Sequence, residues 1–140
     1  LKRLERIQHS FLFRLAWSSD SRAENLSYDH LLKHFNVPSI RSHLIQHDLM
    51  FVYNVFHGRI DCSQLLSQFQ LSAPARRSRS PTLWNVPFAR VETVKNGTIC
   101  RIARRCNELL NGDNTLDFFC SPVCVYKTAV RLHAARAGSF

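Results

Sequence analysis

Apolar side chains at helical spacing dominate the pattern of this sequence. In the first 16 residues, Leu4, Ile7, Phe11 and Leu15 recur every three or four positions, which places them on one face of a helix. The basic residues of this stretch fall largely on the other faces. We therefore predict an N-terminal helix that carries these four residues on one apolar face.

The longest apolar run extends from Asp48 to Cys62 and predicts a buried helix followed by the start of another. Ser39 is a favourable N-cap, and Gly58 is a favourable residue at a helix C-terminus. Asp61 and Gln64 then form a capping-box pattern that predicts a short helix holding Leu65, Leu66 and Phe69. The residues expected on the buried face of the long helix are Ile40, Leu44, Phe51 and Val55.

Three more helices are expected. One extends from Ser27 through His34 or Phe35, because Pro38 restricts the residue before it. Another begins with Thr98 as its cap and reaches Leu110, and a last helix follows the Ser121-Pro122 pair and reaches about Ala135. The residues expected on the buried faces of these last two helices are Ile99, Ile102, Cys106, Leu109, Val123, Tyr126 and Val130.

The chain between residues 70 and 97 has a different character. Pro74, Pro81 and Pro87 predict an extended connector, and the alternation near Leu83 to Val94 leaves room for a small β-hairpin, with Asn96-Gly97 as a turn signal. The prediction is a mainly α protein: a single helical domain, or a fragment of one, with about five to six helices. Its parts are a helical part (1–69), the extended Arg/Pro-rich connector (70–97) and C-terminal helices (98–140).

Composition adds a strong charge signal. Apolar residues make up 45% of the 140 residues, which favours a packed core over disorder. There are 19 basic against 10 acidic residues, a net charge of +9, and 15 of the 19 are arginine. Arginine binds phosphate through two parallel hydrogen bonds, so the bias favours a nucleic-acid partner. A basic surface without any dedicated ligand is the alternative.

Arginine clusters supply the candidate binding residues. One cluster lies in the extended segment, where side chains can follow a phosphate backbone, and Trp84 and Phe88 nearby are candidates for stacking on bases or for packing in the core. A second cluster at i, i+3 and i+4 lies on one face of the helix after Thr98. The predicted nucleic-acid contacts are Arg76, Arg77, Arg79, Arg90, Arg101, Arg104 and Arg105.

Catalytic and metal sites are not predicted. The four glycines are isolated and no two aspartates are adjacent, so the sequence has neither a phosphate-binding glycine loop nor a polymerase carboxylate pair. The pairs His30/His34 and His43/His47 lack a third ligand nearby, and Cys120 and Cys124 with His133 lack a fourth. We expect these residues to be structural or solvated rather than metal ligands.

The sequence also bears on location. An odd number of cysteines, five, argues against a secreted disulfide framework and favours a reducing compartment, so we expect an intracellular protein, nuclear or cytoplasmic. No apolar run approaches the length of a membrane span, and no membrane partner is expected. Leu1 opens the sequence and Met50 is its only methionine, which suggests a piece of a longer polypeptide.

The sequence also allows a second class of function, sequence-specific DNA binding. The stretch from Leu31 to Leu44 resembles a helix-turn-helix, the motif that reads DNA with its second helix. Its turn lacks the usual glycine, and the second helix becomes wholly apolar from Leu49. These departures make sequence-specific DNA recognition the less favoured alternative.

Five segments, taken in order, resemble the region that follows the reverse-transcriptase palm in jockey-like non-LTR retrotransposons. The resemblance covers nearly the whole chain, and its specificity lies in the ordered set rather than in any one motif. The segments are Leu4-Glu5-Arg6-Ile7-Gln8-His9-Ser10-Phe11-Leu12, Tyr28–Leu32 with Asn36–Ile40, Asp48–Cys62, Pro74, Arg76 and Arg79 with Pro87-Phe88-Ala89-Arg90, and Arg101–Asn107 ahead of Leu116-Asp117-Phe118-Phe119.

The resemblance implies a role beside a polymerase rather than in its active site. The family is an RNA-directed DNA polymerase that uses Mg²⁺, but its catalytic carboxylates belong to the palm upstream of this region. The chain would then hold no catalytic residue, metal or cofactor and would take no small-molecule substrate. Its implied partners are the backbone of template RNA or primer DNA and the upstream polymerase domain of the same polypeptide.

Overall fold

The protein is mainly helical, as the sequence predicts. A computed structural model describes residues 2–18, 27–72, 82–88, 90–113 and 115–137, and these ranges contain seven helices. Two of them, α4 and α5, are single turns, and α5 is the one that the sequence analysis does not predict. The helices are α1 (Lys2–Ser18), α2 (Tyr28–His34), α3 (Ile40–Phe56), α4 (Ser63–Leu66), α5 (Glu92–Lys95), α6 (Thr98–Gly112) and α7 (Val123–Ala137).

The chain forms two compact units. The first consists of Leu1–Leu44 and Ala134–Phe140, and the second consists of Ile45–His133. Each unit has its own buried side chains. No helix in the described ranges is both long enough and apolar enough to cross a membrane.

In the first unit, α1 packs on α2 through Leu12, Ala16 and Leu31. Polar contacts fix the same side of α1, because the Tyr28 hydroxyl donates to Gln8 Oε1 (2.5 Å) and Gln8 Nε2 donates to the carbonyl of Pro38 (3.1 Å). The predicted helix is confirmed, but the side that it buries is not the face that carries Leu4, Ile7, Phe11 and Leu15. A helix with apolar residues on two sides buries the side that has a matching partner.

The apolar face of α1 that the sequence pattern indicates is solvent-exposed. Its residues are Leu4, Ile7, Phe11 and Leu15, which we call the α1 stripe.

Helix α3 begins and ends where the sequence predicts. The N–H of Ser42 donates to Ser39 Oγ (3.2 Å), which confirms the cap, and Gly58 adopts φ +66°, the left-handed conformation that glycine takes at a helix end. In the second unit this helix buries Ile45, Leu49, Val52, Tyr53 and Val55.

The expected face of α3 is confirmed at Val55 but wrong at Leu44 and Phe51, which are more than a third exposed. The run is apolar on every side, so its period does not select the core face. The expected capping box is also wrong, because α4 is preceded by Cys62 rather than Asp61 and has no side-chain cap.

An aromatic cluster forms the centre of the second unit. Trp84 contacts Phe56 and Phe118 edge-on, with ring centroids 4.8 and 5.0 Å apart, and the ring of Tyr53 stacks on that of Tyr126 at 4.3 Å. The Tyr53 hydroxyl donates to the carbonyl of Ser121 (2.8 Å). These contacts join α3 and α7 to the segments that carry Trp84 and Phe118.

Helix α6 packs on this cluster with the expected face, since Ile102, Cys106 and Leu109 are buried. Gly97, rather than Thr98, precedes its first residue. Helix α7 begins just after Pro122 and buries Tyr126 in the same unit.

The expected hairpin from Leu83 to Val94 is wrong. Residues 92–95 form helix α5, and the N–H of Gly97 donates to the carbonyl of Val94 (2.9 Å), so Asn96-Gly97 joins two helices rather than two strands. The β-pairing in the described residues is instead an antiparallel bridge between Leu71 and Trp84.

Candidate nucleic-acid interface

The predicted contact residues fall into three groups in the structure. Arg76, Arg77 and Arg79 lie outside the described residues, Arg90 lies in the segment before α5, and the remaining three lie on α6. Arg90 and the three arginines of α6 differ in their exposure and in their contacts.

An exposed aromatic and two exposed cations lie along the segment that leads into α6. Phe88 is 89% exposed, Arg90 is exposed, and Lys95 is exposed at the end of α5. We call these three residues the Phe88 patch. The Cys100 thiol of α6 contacts the carbonyl of Pro87 (3.9 Å), which attaches the start of this segment to the helix.

Trp84, the other aromatic candidate, has a different position. It is 1% exposed, and its backbone is bound on both sides by one side chain: its N–H donates to Asn107 Oδ1 (2.9 Å), and Asn107 Nδ2 donates to its carbonyl (2.8 Å). The interpretation of Trp84 as a base-stacking residue is therefore wrong, and its alternative as a core residue is confirmed.

Arg101 and Arg105 converge on a single carboxylate. Arg101 Nε lies 3.0 Å from Asp48 Oδ2, and Arg105 Nη1 binds the same oxygen. The Arg105 side chain is 21% exposed and that of Arg101 is 40% exposed. Much of the charge on this face of α6 is therefore engaged with α3, and Arg101 retains the larger exposed part.

Arg104 is engaged with backbone instead. Its Nε donates to the carbonyl of Cys100 (3.2 Å), and its Nη2 donates to the carbonyl of Lys95. Arg104 thus connects the end of α5 to α6 and supports the segment that carries the Phe88 patch.

Sequence reasoning did not find Asp48 or Asn107 as organisers of this region. Asp48 lies 53 residues before Arg101, and Asn107 lies 23 residues after Trp84. No local pattern connects these pairs. The sequence offers one signal for each residue. Asp48 is a charged residue directly before an apolar run, and Asn107 is a polar residue among the apolar positions of α6.

The cysteines and histidines do not form a chemical centre in the described residues. No group of three His, Cys, Asp or Glu side chains there is arranged to hold a metal ion. Cys120 and Cys124 are exposed, while Cys106 is buried. Burial, reinforced by the nearby charge of Asp48, raises the pKa of the Cys106 thiol to about 12, so it is not a thiolate nucleophile at neutral pH.

The turn of the helix-turn-helix alternative has one notable residue. Asn36, between α2 and α3, adopts φ +50°, the left-handed conformation that the missing glycine would favour. Arg41 in the first turn of α3 is exposed, whereas Ser42 next to it is buried.

Comparison with known proteins adds no relative: no family model, curated protein or solved structure matches this chain. Its function is therefore argued from its own residues.

Proposed function

We propose that this chain is a non-catalytic accessory region of an RNA-directed DNA polymerase of the non-LTR retrotransposon kind, which holds template or primer through the nucleic-acid backbone. In this proposal it also packs on the upstream polymerase domain of the same polypeptide. It acts inside the cell, in the nucleus or the cytoplasm. The observation that carries the binding proposal is the Phe88 patch.

The patch has the two components that sequence-independent binding of single strands uses. A flat exposed ring offers a stacking surface to any base, and neighbouring cations attract phosphates. Phe88 is among the most exposed large apolar residues of the protein, so core packing does not explain it. Arg90 and Lys95 supply positive charge on the same short segment.

A second support comes from the ends of the arginine-rich connector. The N–H of Ser72 donates to the carbonyl of Leu83 (2.8 Å), next to the bridge between Leu71 and Trp84. In the sequence, Arg76, Arg77 and Arg79 lie between Ser72 and Leu83. That segment leads through Trp84 to Phe88 within four residues.

The charge component is tested by a salt titration. Binding of labelled single-stranded RNA and of an RNA–DNA hybrid is followed by fluorescence anisotropy between about 50 and 200 mM salt. We expect a linear fall of log K with log salt, and Arg90→Gln should reduce the slope by about 1. Lys127→Gln, an exposed cation on α7, is the matched control and should leave the slope unchanged.

The stacking component is tested at Phe88. Phe88→Leu keeps an apolar side chain but removes the flat ring, so we expect single-strand affinity to fall by about 1–3 kcal/mol without a change of salt slope. Phe88→Trp should retain binding. Equal binding by the Leu and Trp variants would contradict stacking, and no binding at low salt by the unmodified protein would overturn the whole proposal.

Two alternatives make different predictions in the same assays. A structural domain with incidental charge is favoured by the engagement of Arg101 and Arg105 with Asp48, and it predicts equal losses from Arg90→Gln and Lys127→Gln. A helix-turn-helix regulator is favoured by the backbone of Asn36. It predicts selection of a defined duplex sequence, lost in an Arg41→Ala variant.

A further inference from the structure

The α1 stripe is a large apolar surface that the first unit does not cover. Ile7 is 66% exposed and Phe11 is 63% exposed, and the other two members are more than 40% exposed. The neighbouring side of the same helix is already packed on α2 through Leu12 and Ala16. Exposed apolar residues grouped in this way, with two arginines along one border, are typical of an interaction site.

The shape of the stripe indicates what could cover it. At 3.6 residues per turn its four residues fall within about 80° of the helix circumference. A narrow seam of this kind is what one helix presents to another, whereas a helix that lies in a membrane surface has a broad apolar face. The width therefore favours a helical partner.

The charged residues of α1 indicate the sign of charge that a partner should carry. Every ionised residue exposed on α1 is a cation: Lys2, Arg3, Arg6 and Arg14. Of these, Arg3 and Arg14 border the stripe, whereas Lys2 and Arg6 lie on other sides of the helix. The single carboxylate, Glu5, is half-buried on the side that faces α2, where it adds to the effect of burial in raising the pKa of Tyr28.

A second copy of the chain is a poor partner for this surface. It would bring the arginines that border one stripe, Arg3 and Arg14, toward the same pair of the other copy, and like charges at an interface oppose association. Carboxylates along the edge of the covering helix would instead complement Arg3 and Arg14, which lie about three turns apart on the same border of the stripe.

We propose that the α1 stripe is a docking site for an amphipathic helix of another polypeptide segment, whose apolar seam is edged by carboxylates. The inference does not depend on nucleic-acid binding. It concerns the first unit, whereas the Phe88 patch lies in the second.

The test uses two synthetic helical peptides with the same leucine seam, one edged by glutamate and one by lysine, titrated calorimetrically against the full chain. We expect the glutamate-edged peptide to bind at least about tenfold more tightly, with the negative heat-capacity change of apolar burial. Ile7→Ser with Phe11→Ser should weaken binding by at least about tenfold. Trp17→Ser is the matched control and should stay within about twofold, because Trp17 is exposed on α1 but lies off the stripe.

A charge reversal keeps the test decisive if the serine variant unfolds. Arg3→Glu with Arg14→Glu should exchange the preference and favour the lysine-edged peptide. Equal affinity for both peptides, or no binding by either, would overturn the proposal. It would equally be overturned if the stripe instead mediated binding to vesicles of phosphatidylcholine with phosphatidylglycerol, or self-association in sedimentation.

Discussion

Asp48 is the residue that determines how the arginines of α6 are used. It is half-buried and binds Arg101 and Arg105. Asp48→Asn removes the negative charge and leaves Arg105 partly buried without its ionic partner, so we expect a loss of about 2–3 kcal/mol in the free energy of unfolding. Urea denaturation measures this loss, and Asp61→Asn at an exposed position should change stability by less than about 0.5 kcal/mol.

The same substitution bears on the predicted nucleic-acid contacts. Asp48→Asn removes the carboxylate that Arg101 and Arg105 share, and each of the two guanidinium groups that then contacts a phosphate makes the salt dependence of binding steeper by about 1. An unchanged slope would indicate that Arg101 and Arg105 serve the fold alone.

Asn107 provides a second test at the residue scale. Its side chain satisfies both backbone groups of the buried Trp84. Asn107→Ala would leave a buried donor and a buried acceptor unpaired, at about 1–3 kcal/mol each, so we expect a midpoint shift in urea equivalent to at least about 2 kcal/mol. Asn85→Ala is the control, because the hydrogen bond that the Asn85 side-chain amide donates to Gln70 is solvent-exposed. Similar losses for the two variants would contradict this role.

These two residues show where sequence reasoning stops. It identified the arginines, but it could not tell which would meet a carboxylate 53 or 57 residues away. It offered both base stacking and core packing for Trp84. Only the fold, which places Asn107 against that backbone, decides between them.

At the scale of elements, α1 allows a direct comparison of a buried leucine with an exposed one on the same helix. Leu12 is buried against α2, whereas Leu15 belongs to the exposed α1 stripe. Leu12→Ala should cost about 2–5 kcal/mol, and Leu15→Ala should cost less than about 1 kcal/mol. Thermal or urea unfolding of the two single variants measures the difference. A larger loss from Leu15→Ala than from Leu12→Ala would instead indicate that α1 buries the face that carries Leu15.

The helices differ in how well sequence predicts them. Helix α6 separates apolar from charged positions clearly, and three of its four predicted core residues, Ile102, Cys106 and Leu109, are buried, whereas Ile99 is partly buried. Helices α1 and α3 carry apolar residues on more than one side, so their existence was predictable but their buried face was not. That face depends on which neighbour packs against them, and a single helical period does not contain this information.

At the scale of the whole molecule, we predict that alkaline pH destabilises the fold. Burial raises the pKa of Cys106 to about 12 and raises that of Tyr126 as well. The folded state keeps these protons where the unfolded chain releases them. Stability should therefore be fully present below about pH 9 and fall above it, by up to about 1.4 kcal/mol per pH unit for each group.

Urea unfolding between about pH 8 and pH 10.5 tests this sign. Tyr126→Phe is the informative variant, because the Tyr126 hydroxyl is buried without a hydrogen-bond partner. Its removal should cost little at neutral pH and should flatten the decline above about pH 10. A constant free energy of unfolding across this range would rule out burial of the two protonated groups.

The contact between Asn107 and Trp84 has a consequence for assembly. The bridge to Leu71 uses one edge of the extended backbone at Trp84, and the side-chain amide occupies the other edge as an additional strand would. An open strand edge is a template on which further chains can add. With Asn107 in that position, the β-pairing of the described residues presents no open backbone edge at Trp84.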